Sequence, residues 1–102
     1  MKKLLVLLGF FALIITASNA QKIEEIEGLY YKNSEKYSGN YITYFENGNI
    51  NREIKLRNGE KHGKTLIYFE NGQLNEIRSY KHNKMHGKWV MYNKHGIKIS
   101  IA

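Results

Sequence analysis

Four histidines and nine acids, every one of them a glutamate, are the residues of this 102-residue chain with the widest chemical range. The histidines are His62, His82, His86 and His95. His82 and His86 are four apart, a spacing that would share a metal ion on a helix. Here they fall in a turn region between strand-like segments, where that spacing brings nothing together. The chain has no cysteine and no aspartate to complete a ligand set, so no metal and no cofactor are expected. Ser34, Ser38, Ser79 and Ser100 lack the glycine-flanked elbow that presents a nucleophilic serine. No nucleophile, base and acid stand out together, and the expectation is a protein without catalytic residues.

The remaining candidates suit binding. Lys61, His62 and Lys64 gather at one turn, and Lys81, His82, Lys84, His86 and Lys88 at another, with Trp89 beside them. If both turns share one edge they form a positive strip, which would attract anionic lipid or another acidic surface. The plainer reading is a solvated rim of turns. Tyr44, Tyr68 and Tyr92 recur at a fixed step. They read first as a ladder packed between repeats and second as a flat strip for a ligand.

What must position these residues is a repeat. Tyr44-Phe45-Glu46-Asn47-Gly48 returns as Tyr68-Phe69-Glu70-Asn71-Gly72 and, degraded, as Tyr92-Asn93-Lys94-His95-Gly96. Gly39, Gly63 and Gly87 keep the same 24-residue step. A fixed period of this size means an array of small units that bury apolar side chains on their neighbours. Each unit reads as a strand, a tight turn, a return strand and a looser turn. Tyr41 to Phe45 is aromatic and β-branched, as strands are. Asn47-Gly48 is a strong hairpin signal and predicts a two-residue type I′ turn. Ile50, Arg52, Ile54 and Leu56 then alternate with Asn51, Glu53, Lys55 and Arg57, a period of two.

With two-residue turns, Phe45 faces Ile50, Thr43 faces Arg52 and Tyr41 faces Ile54, and Phe69 faces Leu74. Ile42, Tyr44, Leu66, Tyr68, Ile77, Val90 and Tyr92 take the other side, where Ile99 and Ile101 face Tyr92 and Val90. Leu29 to Lys32 adds a leading strand. Only Ile23 to Glu27 hints at a helical period. The three glycines open their strands, taking positive φ and leaving room for a neighbouring ring. The fold expected is all-β: a single-layer antiparallel β-meander of about three 24-residue hairpin repeats.

A leader precedes the repeats. Lys2 and Lys3 are followed by the apolar run Leu4 to Thr16 and by Ser18-Asn19-Ala20. This is the pattern of a cleavable secretory signal over residues 1–20, cut after Ala20. The apolar run, about 13 residues, is short of the ~20 needed to span a bilayer. Residues 21–27 then form a lead segment and residues 28–102 the repeat domain. The location expected is secreted or periplasmic, where the absence of cysteine leaves stability to strand pairing. The formal charge is +7, or +5 without Lys2 and Lys3. It favours anionic partners without naming one, and nucleic acid is not expected outside the cytoplasm.

The residues Gly39, Tyr44, Glu46-Asn47-Gly48, Asn58-Gly59, His62-Gly63, Tyr68, Glu70-Asn71-Gly72, His86-Gly87, Tyr92 and Gly96 resemble the MORN-repeat variant found in YwqK-like antitoxin proteins. The resemblance spans roughly Gly28 to Ala102. It implies an elongated antiparallel sheet used as a binding or scaffolding surface. MORN repeats generally imply membrane association and protein assembly. The antitoxin name implies a toxin neutralised by binding.

The functional expectation is an exported, non-catalytic repeat protein acting as a protein-interaction or assembly surface. An anionic membrane or envelope module ranks second and an antitoxin-like role third. The candidate binding residues are Tyr44, Tyr68, Tyr92, Trp89, Lys61, Lys64, Lys84, Lys88, Ile99 and Ile101. The last two lie on the final strand, whose open edge is a template for a partner or a second copy.

Overall fold

In the computed structural model, which describes residues 22–101, nine strands form two antiparallel sheets. The strands are β1 (Ile23–Ile26), β2 (Leu29–Lys32), β3 (Glu35–Lys36), β4 (Gly39–Tyr44), β5 (Ile50–Arg57), β6 (Glu60–Tyr68), β7 (Leu74–Lys81), β8 (Lys84–Tyr92) and β9 (Lys98–Ile101). β1, β2 and β3 make a small sheet, and β4 to β9 a six-stranded meander in sequence order. The described residues contain no helix. Ile23 to Ile26, where a helical period was suggested, is strand β1. Its residues pair with β2 from Ile23 opposite Lys32 to Ile26 opposite Leu29. The leader, residues 1–20, lies outside the described residues.

The two kinds of turn are the reverse of what the sequence suggested. At the repeat tip Phe45 N donates to Asn49 O (2.8 Å) and Gly48 N to Phe45 O (3.0 Å). Asn47 Oδ1 accepts from Asn49 N (2.9 Å). Asn47 keeps negative φ and Gly48 alone is positive, at +90°. This is a three-residue loop, a type I turn closed by a glycine bulge, which Asn-Gly suits as well as it suits type I′. Phe69 and Gln73 repeat it, and so do Asn93 and Ile97. The two-residue turns lie at the other end of the meander. Asn58-Gly59 (φ 53° and 82°) joins Arg57 to Glu60, and His82-Asn83 (φ 50° and 68°) joins Lys81 to Lys84.

The extra loop residue shifts the nearest pairs by one. Thr43 faces Arg52 and Tyr41 faces Ile54, as expected, but Tyr44 rather than Phe45 faces Ile50. Tyr68 rather than Phe69 faces Leu74. Ile101 faces Val90, while Tyr92 faces Lys98 rather than Ile99. Gly63 and Gly87 also sit inside β6 and β8 rather than at their starts. Ile54 faces Thr65 and Leu56 faces Lys61, so Lys55 alone is set against His62, Gly63 and Lys64. That bulge is where Gly63 takes its positive φ of 93°. Room for a ring is needed only at Gly39, whose added Cβ would meet Tyr37 Oη at 2.7 Å. At Gly63 and Gly87 the neighbours are Lys55 and Ser79.

The core lies where the small sheet docks on the meander. Tyr30 packs on Ile54 and Leu56, with Ile23, Tyr37 and Tyr41 around them. Its ring meets Tyr41 edge-on at 5.8 Å between centroids. Burial, and secondarily the Glu25 carboxylate opposite, push the Tyr30 hydroxyl above its ordinary pKa. Backbone bonds lock the docking: Tyr30 N donates to Gly59 O (2.9 Å) and Gly59 N to Tyr37 O (2.8 Å). Asn83 Nδ2 reaches Gly28 O (3.0 Å), while Asn83 N donates to Lys61 O (2.9 Å). The second turn is thereby tied to both the first turn and the small sheet.

Candidate functional site

The small sheet covers only the first part of one face of the meander. That inner face carries Tyr41, Ile54, Thr65 and, further along the same cross-strand row, Arg78 and Trp89. Ile54, Thr65 and Ile67 are buried there. Arg78 stands one repeat after Ile54, beyond the reach of Tyr30, and the chemistry changes accordingly. Its guanidinium lies over the Trp89 ring at 4.6 Å. Glu76 Oε1 accepts from Trp89 Nε1 (2.7 Å) and from Arg78 Nη2 (3.2 Å). Desolvation alone would lower the Arg78 pKa, but hydrogen bonds with Tyr80 and Glu76 outweigh it and hold it above its ordinary value. Trp89, a candidate for ligand binding, is thus engaged within the protein.

The outer face is uncovered among the described residues. Strand alternation sorts its side chains into three bands crossing the strands. One is aliphatic: Ile42, Leu66, Ile77, Val90 and Ile101, interrupted by Glu53. Toward the tips lies the tyrosine band, Tyr44, Tyr68 and Tyr92. Toward the two-residue turns lies a basic band, Lys55, Lys64 and Lys88. A shallow groove of about 350 Å³ runs between the bands, lined by Asn40, Ile42, Glu53, Lys55, Lys64 and Leu66.

The tyrosines do not stack as a ladder. Among the described residues the aromatic rings that meet are Tyr30 with Tyr41 and His62 with His82. Tyr44 is 61% exposed, while Tyr68 and Tyr92 are half-buried. Partial burial, with the Glu53 charge nearby, raises the Tyr68 hydroxyl pKa. Ile99 and Ile101 are 60% and 55% exposed on β9, whose only neighbour among the described strands is β8.

The basic residues do not act as one strip. Their turns do share an edge, since Lys61 N bonds Asn83 Oδ1 (3.2 Å). However, Lys61 Nζ lies over the Tyr80 ring at 4.7 Å, on the inner side. Lys64 and Lys88 belong to the outer face, and Lys84 is exposed beside the turn. His82 Nδ1 lies 3.4 Å from Glu60 Oε1. Among the described residues no three histidine or glutamate side chains converge as metal ligands would. No described helix is long and apolar enough to cross a membrane.

Sequence reasoning put Ile42 and Leu66 on one side of the sheet but missed Lys55 as their neighbour in the groove, although the alternation of β5 carries that information. It also missed Glu76 and Arg78, which are marked by a reversal of charge where the preceding repeat has Arg52 and by a cation where it has Ile54.

The family model described as MORN repeat variant matches residues 37–58 and 61–82. Those spans hold β4 with β5 and β6 with β7, the two best-kept hairpins. Neither the curated proteins nor the solved structures contain a significant match to the chain.

Proposed function

We propose, from the match to the MORN repeat variant over residues 37–58 and 61–82, that the protein works outside the cytoplasm as a non-catalytic interaction surface for protein. The observation that carries this reading is the outer face, uncovered among the described residues: aliphatic and tyrosine bands laid across a six-stranded sheet. Exposed aromatic and aliphatic side chains on a rigid support suit protein recognition. A non-catalytic role is supported by the lining of the shallow groove on this face, where Glu53, Lys55 and Lys64 stand without a histidine, serine or cysteine beside them. Export is supported by the leader at residues 1–20.

A photo-crosslinking amino acid placed at Tyr68 tests this reading in the producing cells, with the exposed inner-face residue Arg52 as the control position. A discrete protein adduct from Tyr68 and none from Arg52 is expected. Adducts of equal yield from both positions, or none from either, would sink it.

A second reading, association with an anionic membrane or envelope surface, is favoured by the basic band beside the aliphatic one. Exposed lysines next to apolar side chains draw a protein to acidic headgroups, with a strong salt dependence. Equal binding to neutral and anionic vesicles at low salt rules it out. An antitoxin-like role fits least well, because a leader removes the protein from a cytoplasmic toxin.

A further inference from the structure

We propose that the two open edges of the meander are complementary, so that β9 of one molecule pairs antiparallel with β4 of a second copy and carries the repeat from molecule to molecule. The inference rests on the reading of this protein as an interaction surface and names the partner and the register.

The repeat itself supplies the register. β4, β6 and β8 are equivalent at the 24-residue step, as are β5, β7 and β9. Two seams between hairpins exist within the molecule. At the first, Arg52 faces Ile67 and Glu53 faces Leu66. At the second, one period on, Glu76 faces Met91 and Ile77 faces Val90. One more period places Ser100 opposite Thr43 of the next copy, and Ile101 opposite Ile42. Ile99, equivalent to the bulged Asn51 and Asn75, then lies beside Tyr44 just past the end of the paired stretch.

The side chains match that arrangement. Hydroxyl meets hydroxyl, and isoleucine meets isoleucine as Ile77 meets Val90. Seven large hydrophobic residues are exposed among the described residues. Four of them, Ile42, Tyr44, Ile99 and Ile101, sit on the two edge strands and would be brought together by this pairing. Soluble sheets ordinarily protect an edge with charge or proline. β4 has neither, and β9 has only Lys98. Tyr37 Oη donates to Asn40 O (3.1 Å) and caps the start of β4, which leaves Ile42 to Tyr44 as the pairing stretch.

β4 and β9 run in opposite directions, so the new pair is antiparallel like every other pair in the sheet. Joining unlike edges is a heterologous contact and grows open-ended chains. A β9-to-β9 contact would stop at a dimer.

The chain lacks cysteine, so disulfide trapping reads the register directly. Directly opposed residues hold their Cβ atoms about 4.5–5.5 Å apart, close to what a disulfide accepts with small adjustment. In full-length protein expressed with its own leader, Thr43→Cys alone and Ser100→Cys alone are expected to stay uncrosslinked. Their mixture is expected to give a disulfide dimer, and the double variant a ladder of multimers. A dimer from Ser100→Cys alone, or none from the mixture at high micromolar concentration, overturns the proposal.

A charge exchange gives a second readout by light scattering. Ile42→Lys with Ile101→Lys places like charges opposite each other and is expected to be monomeric. Ile42→Lys with Ile101→Glu is expected to associate. Identical behaviour of the two variants, both folded by circular dichroism, contradicts the pairing. A chain that never self-associates but still gives a Tyr68 adduct with another protein would overturn this register while leaving the interaction reading intact.

Discussion

Trp89 donates its indole N–H to Glu76 Oε1 across 2.7 Å, joining β7 to β8 at the point where the repeat departs from its pattern. The same oxygen accepts from Arg78, which covers the indole ring. One carboxylate oxygen therefore holds two neighbours, and its side chain is only 15% exposed. Trp89→Phe keeps an aromatic ring, though a smaller one, and removes the donor. It is expected to cost about 1–2 kcal/mol, the range for a charged acceptor losing one partner while keeping another. Urea denaturation followed by circular dichroism measures it. An unchanged midpoint would mean that the bond contributes nothing.

Glu76→Ala approaches the same cluster from the other side. It frees the indole N–H and removes the anchor of Arg78. Trp89 is the sole tryptophan, so its fluorescence reports this position alone. The emission is expected to move to longer wavelength as water reaches the ring.

Thr65 is buried between Ile54 and Arg78 in the inner row, and its hydroxyl has no hydrogen-bond partner among the described residues. A buried hydroxyl without a partner carries a desolvation cost. Thr65→Val keeps the shape and removes that cost. The expected effect is a stabilisation of about 1 kcal/mol, read as a higher melting temperature.

Gly59 and Gly48 both have positive φ, at 82° and 90°, but their surroundings differ. A Cβ on Gly59 would come within 3.2 Å of Tyr30 O, in the backbone junction that docks the small sheet. A Cβ on Gly48 meets nothing within 4 Å. Gly48→Ala is expected to cost about 1–2 kcal/mol, the ordinary strain of a left-handed residue. Gly59→Ala should cost clearly more and loosen Tyr30 as well. Equal losses in denaturant midpoint would contradict the docking described above.

Tyr30 has a raised pKa, from 10.0 in the ordinary state, because burial and Glu25 disfavour its anion. The folded state therefore holds the proton more tightly than the unfolded chain does. Linkage makes this stabilisation fully present below pH 10 and lost as the pH rises through the folded value. Stability is expected to fall above pH 10, and less steeply in Tyr30→Phe.

The hairpin array was legible because strand alternation and the 24-residue step are local signals. Thr43 against Arg52 and Tyr41 against Ile54 follow from them, and so do the two faces. The loop type was not legible, since Asn-Gly serves both a two-residue type I′ turn and a three-residue loop. Hydrogen bonds from the asparagine side chain decide between the two. In the third tip His95 stands where Asn47 and Asn71 stand, and Asn93 takes over by accepting from His95 N and Ile97 N. The docking of Tyr30 was also hidden, because that contact lies outside the repeat and no period announces it. The outer tyrosines were found by their spacing, but their exposure depends on what the small sheet leaves uncovered.

Hydroxyl-radical footprinting of the protein in its native envelope fraction, compared with the purified protein diluted until light scattering shows a monomer, tests the interaction surface most directly. Side-chain oxidation separates the faces residue by residue. Protection of Tyr44, Ile99 and Ile101, with Tyr37 and Trp89 unchanged, is the expected result. Oxidation of Tyr44 and Ile101 to the same extent in both samples would contradict the assignment of the outer face and its edges as the working surface.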